Sequence, residues 1–141
     1  MMNVFIPFNT PSLKNSKPNG KFHSASVRKY LQKLGVKSFS SSRKEAVGYK
    51  TRPNLFACRV VDLAKHIEAK QKPVRMGFHF IRDSKRKFDY INAMQIILDL
   101  LTAHGVIEDD DCDTVIPYVA ERFGKPYFVD KENAGCILEV E

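Results

Sequence analysis

Apolar positions recur along the chain with two different periods, and these divide it into elements. VFIPF (Val4 to Phe8) is a short apolar run stopped by proline, which predicts a strand, and the polar stretch NTPSLKNSKPNGK after it predicts a loop. Ser24 then caps a helix, SVRKYLQKL, that stops at Gly35. A second helix is expected from the Asn54 cap through Lys70, with Phe56, Val60, Leu63 and Ile67 along one side. PVRMGFHFIRD alternates Val74, Met76, Phe78 and Phe80 against Arg75, Gly77 and His79, the period-2 pattern of a half-buried strand. A third helix follows from about Tyr90 to Ala103. TVIPYVAERF, and then the pair PYFVD and GCILEV joined by KENA, complete the chain as closing strands, and Pro117 limits its strand to an edge or a bulge.

About three helices interleaved with about five strands, the last of them adjacent in sequence, predict an α+β fold with a mixed β-sheet. The 141 residues are expected to form a single domain, with the serine-rich basic segment 38–53 as a flexible loop. A chain of this length buries roughly 68–70% of the surface its unfolded form exposes, so no covalent staple is needed. Cys58, Cys112 and Cys136 form no CxxC pair and the four histidines stand apart from them, which disfavours a zinc site or a disulfide framework. The start MMNVFIPFNTP has no charged leader region, and no apolar run approaches the ~20 residues of a membrane span. A cytoplasmic, reduced protein with no membrane association and no small-molecule cofactor is expected.

Charge changes the picture. From Met1 to Arg75 there are 16 Lys and Arg against three acidic residues, a net of +13, whereas the remaining 66 residues carry seven against 13, a net of −6. A basic half is the electrostatic footprint of a polyanion binder, because each phosphate it neutralises releases counterions. Lys14, Asn15 and Lys17 in the first loop, Arg28 and Lys29 on the first helix, and Lys85, Arg86 and Lys87 before the third helix are the candidate phosphate contacts. Tyr30, Phe39 and Tyr49 are candidate stacking residues, with core packing the stronger expectation for Tyr30.

The acidic residues gather instead around the third helix. Asp89 precedes it in an N-cap position, and GVIEDDDCD after it places five acids within six residues, Glu108 to Asp113. On a helical wheel Asn92, Gln95, Asp99 and Thr102 share one narrow wedge, while Ala93, Met94, Ile97, Leu98, Leu100 and Leu101 fill most of the rest. Fourteen helical residues advance about 21 Å, and an extended return from Gly105 to Asp110 covers up to about 20 Å. A chain that doubles back therefore brings Asp109 or Asp110 beside Asp89. Carboxylates so placed repel, and a hard divalent cation relieves the repulsion. The competing explanation is a solvated acidic loop. An EF-hand is excluded, because counting from Asp109 puts Thr114 at the glycine position and Ala120 at the bidentate glutamate. His79, on the polar side of its strand, and His104, in the last helical turn where a cation suits the dipole, are expected to be structural.

From Phe78 to Asp113 the chain resembles the RusA-type Holliday junction resolvases, a family with a basic cluster, D-x-D-N, a helix with a lysine and an L-D-A-L-like segment, and then G-[VF]-[WI]-x-D-D. The corresponding residues are Arg86 and Lys87, Asp89, Asn92, LDLL at Leu98 to Leu101, and GVIEDD at Gly105 to Asp110. The second aspartate of D-x-D falls on Ile91 and the helix lysine on Gln95. The resemblance implies a RusA-like fold and a homodimer that nicks Holliday junctions or other branched DNA. It also implies Mg²⁺, with Mn²⁺ a substitute, held by Asp89 and Asp110 as catalytic ligands. Asp109 is the third ligand candidate, with Asn92, Glu108, Asp111 and Asp113 as motif neighbours and Lys85 or Lys87 in place of the helix lysine. The alternative is a resolvase-like module that binds branched DNA without cutting it, because isoleucine ligates no metal.

Overall fold

The computed structural model describes residues 1–12, 25–36 and 54–141. Lys14, Asn15, Lys17, the Ser24 cap, the 38–53 segment, Phe39 and Tyr49 lie outside the described residues. Among those described, the elements run β1 (Met2–Pro7), α1 (Ala25–Lys33), α2 (Leu55–Glu68), β2 (Val74–Arg82), α3 (Tyr90–Ala103), β3 (Val115–Val119), β4 (Tyr127–Val129) and β5 (Gly135–Val140). The fold is α+β, with three described helices and a mixed five-stranded sheet.

β2 is the spine of the sheet. β5 runs antiparallel along one side of it and carries β1, also antiparallel, on its far edge. On the other side two short parallel strands share β2 between them: β3 pairs with Val74–Phe78 and β4 with Phe80–Arg82. β3, with Pro117, stands at the edge, as a strand containing proline must. β4 and β5, consecutive in sequence, do not pair with each other but flank β2 on opposite sides.

The pairing register places Met76, Phe78 and Phe80 on the same face as Val140, Leu138 and Cys136 of β5, and these in turn beside Met2, Val4 and Ile6 of β1. That face and the apolar sides of the three helices form one core, in which Phe56, Phe78, Phe80, Leu63, Ile97 and Leu101 are fully buried. Burying a large apolar side chain stabilises the fold by about 1.5–3 kcal/mol.

From Gly77 onward the opposite face of β2 is also covered, against the expectation of a half-buried strand, while Arg75 stays exposed. His79 is 0% exposed. Its Nδ1 donates to the carbonyl of Ala120 at 2.9 Å, and its ring meets Phe128 of β4 edge-on with centroids 5.2 Å apart. At Gly77 the Tyr118 ring lies so close that an added Cβ would stand 2.8 Å from it and 2.6 Å from Glu139 Cγ. Tyr118 in turn donates to Glu139 and carries Arg75 over its ring. His79 therefore belongs to a second packed layer rather than to a polar surface.

Candidate functional site: the acidic face of α3

Two anchors hold the loop that leads into α3. At its start Arg82, buried, donates to the carbonyl of Thr10 and lays its guanidinium 4.3 Å from the Phe88 ring centre, while Asp83 N donates to Asn9 Oδ1 at 3.0 Å. At its end Phe88 and Tyr90 pack on each other at 4.6 Å, and on Tyr127 of β4 at 5.1 and 6.3 Å. Between the anchors Lys85, Arg86 and Lys87 are exposed. Asp89, flanked by the two fixed aromatics, is the N-cap: its Oδ1 accepts from Asn92 N at 3.2 Å. A carboxylate there also complements the positive end of the helix dipole. Arg28 and Lys29 are exposed on α1, whereas Tyr30 is buried in the core, as its expected packing role requires.

The far end of α3 closes with a Schellman motif. Gly105, at φ 69°, lets Val106 N reach Leu101 O at 2.9 Å and Gly105 N reach Thr102 O at 3.0 Å. The chain then turns back along the helix, but not in extended form. Val106 and Ile107 are drawn into the core, and Asp109 Oδ1 folds onto Asp110 N at 2.8 Å. The return is shortened, and Asp110 meets α3 at Gln95, six residues and about 9 Å of helix rise from Asp89. The expected arrival of Asp109 or Asp110 directly beside the cap is thus displaced toward mid-helix.

At that meeting point the Gln95 amide donates to Asp99 Oδ1 and to Asp110 Oδ2, both at 2.8 Å. Burial pushes the half-buried Asp99 carboxyl up to about 6, and the negative charge of Asp110 adds to the rise against the opposing Gln95 hydrogen bond. Gln95 and Asp99 belong to the wedge seen on the helical wheel, but only the structure shows that they receive Asp110. The fourth member, Thr102, is buried and its hydroxyl donates to Leu98 O at 3.0 Å, so the polar stripe ends at Asp99.

The other acids of the loop have separate tasks. Asp111 Oδ1 accepts from Asp113 N at 3.1 Å and Thr114 Oγ1 at 2.9 Å, shaping the turn that delivers the chain to β3. Glu108, Asp109 and Asp113 are exposed. His104, the C-cap, is buried, and that burial lowers its pKa. Its Nδ1 donates to Leu100 O at 2.8 Å and its Nε2 accepts from Asn54 Nδ2 at 3.1 Å, so the ring is neutral rather than the dipole-complementing cation the sequence predicts.

Among the described residues no group of three or more His, Cys, Asp or Glu side chains is placed to hold a metal ion. The site therefore does not fit a three-carboxylate cradle. It does fit the smaller demand of Mg²⁺, which needs one or two carboxylates and keeps several waters. Asp99 and Asp110, both bonded to the Gln95 amide, are the two carboxylates that would meet such an ion. No family model, curated protein or solved structure matches the chain. No helix is long and apolar enough to cross a membrane, among the described residues.

Proposed function

We propose that the chain is a Mg²⁺-dependent endodeoxyribonuclease acting on Holliday junctions or other branched DNA, similar to the RusA-type resolvases. The observation that carries this reading is the convergence of Asp110 with Gln95 and Asp99 on the face of α3 that begins at Asp89. The basic run Lys85 to Lys87 leads into that face. Phosphodiester cleavage needs negative side chains to hold a cation and positive ones to hold the strand, and this face supplies both. Asp110 with Asp99 would hold the ion, Asp89 remaining the helix cap about 9 Å of rise away, and Mn²⁺ would substitute for Mg²⁺. When bound, it supplies charge neutralisation at the phosphoryl oxygens and an acidified water. The Lys85 to Lys87 run orients the phosphate backbone, and a lysine of that run takes the part of the helix lysine whose position Gln95 occupies. A homodimer would present two such faces related by a twofold axis, suited to paired nicks.

A specific observation favours a second reading, a module that binds branches without cutting. Ile91, at the position of the family's second aspartate, is 76% exposed and offers no oxygen. Titrating Mg²⁺ and Mn²⁺ against an end-labelled four-way junction separates the two. Metal-dependent cleavage that is lost in Asp110→Asn supports the nuclease, and junction binding with no cleavage at any metal concentration selects the binding module.

A further inference from the structure

The edge of the sheet beside β2 is interrupted. After β3 the chain leaves the ladder at Ala120 and rejoins it at Tyr127, and the excursion folds into a closed two-residue turn. Arg122 N donates to Lys125 O at 2.9 Å and Lys125 N to Arg122 O at 3.0 Å. The two central residues are Phe123 at φ 52° and Gly124 at φ 74°. Positive φ at both positions is the type I′ geometry, which favours Asn-Gly and strains a phenylalanine.

Phe123 contributes nothing to the core in exchange for that strain. It is 95% exposed, more than any other large apolar side chain among the described residues. An apolar ring held in an unfavourable conformation and offered to solvent points to recognition rather than to folding. Its surroundings define the ligand. Phe128 lies 6.2 Å from Phe123, and Lys125 Nζ is 5.7 Å from the Phe128 ring centre. Beside the turn is an open groove of about 530 Å³ lined by Lys85, Lys125, Tyr127 and Phe128, with no acidic side chain among the described residues of its walls. Tyr127 packs on Phe88 and Tyr90, the residues on either side of Asp89, so the groove adjoins the start of the acidic face. Cationic walls select an anion, and aromatic faces select flat π-systems. A nucleic-acid strand with an unpaired base carries both.

We propose that the turn at Arg122 to Lys125 is a stacking element: Phe123 lies against a base unpaired at a DNA branch, while Lys85 and Lys125 hold the phosphates of the strand in the groove. The proposal rests on the branched-DNA reading above and adds the part of the substrate that the turn reads. The test uses the full chain without divalent metal and a four-way junction carrying 2-aminopurine at the branch point. A linear duplex, a short single strand and vesicles of anionic phospholipid are run in parallel. Wild type is expected to quench the probe on binding. Phe123→Asn is expected to bind the junction and the single strand roughly tenfold more weakly, the scale of one lost base–aromatic stack. Its duplex affinity should stay within about twofold, and Phe123→Tyr should retain junction affinity. Phe123→Asn should melt no earlier than wild type, because asparagine suits the turn. Equal junction affinity of Phe123→Asn and wild type overturns this proposal and leaves the nuclease reading standing. Failure of wild type to bind any DNA removes both. Binding that depends on Phe123 only with the anionic vesicles overturns the proposal in favour of a lipid surface.

Discussion

Gln95 donates from its single side-chain amide to both Asp99 and Asp110, at 2.8 Å each. One helix residue thereby ties its own neighbour to a loop fifteen positions further along the chain. Gln95→Leu removes both donors and leaves two carboxylates facing each other. A loss of about 1–2 kcal/mol in urea unfolding is expected, the worth of one or two neutral-to-charged hydrogen bonds at a partly exposed site. Gln95→Lys places a cation between the acids and is expected to unfold later than wild type at pH 7.

The same pair makes stability depend on pH. The folded Asp99 carboxyl sits near 6, above its ordinary value of 3.8, so the folded state holds its proton more tightly than the unfolded chain. Its contribution is complete below about pH 4 and is lost as pH rises to about 6. Asp99→Asn carries no such proton. Melting temperatures taken across pH 4 to 6 should show a decline in wild type that is reduced in this variant, against the unchanged background of the other groups.

Asn54 does two things with one side chain. Its Oδ1 accepts from Ala57 N at 2.7 Å to cap α2, and its Nδ2 donates to His104 Nε2 at the end of α3. Asn54→Ala loses a cap, worth about 1 kcal/mol, and also strips a buried imidazole nitrogen of its donor. The expected cost is about 2 kcal/mol by chemical denaturation, and Asn54→Asp, which keeps the cap but loses the donor, should fall between wild type and alanine.

Lys87 is an exposed cation two residues before Asp89. If it holds a phosphate, Lys87→Ala weakens junction and duplex binding alike and lowers the slope of log affinity against log salt by about 1. An unchanged slope in fluorescence-anisotropy titrations from 50 to 200 mM salt would remove Lys87 from the interface.

Much of this architecture is local in origin and therefore legible in the sequence. Asp89 and the apolar period after it mark α3 at Tyr90–Ala103, Asn54 marks the start of α2, and Pro117 marks an edge strand, because capping and proline chemistry act within a few residues. What escapes depends on contacts between distant segments. Alternation along β2 shows two faces but not that Phe128 and Tyr118 cover the second one, which is why His79 looks solvent-facing and is buried. β4 and β5 look like neighbours across a short link, yet each finds a better partner in β2. In the site, the wedge of Asn92, Gln95 and Asp99 is visible on a wheel. The point where Asp110 lands on it is not, because that depends on how far Val106 and Ile107 sink into the core.

The broken rim formed by β3 and β4 also bears on how the molecule behaves in crowded solution. A continuous outer strand would offer an unbroken row of amides and carbonyls to any neighbour able to add a strand of its own. Here that row is cut into lengths of five and three residues, lacks a donor at Pro117 and is parted by a protruding turn. The interruption that presents Phe123 thus also guards this border against runaway intermolecular β-pairing.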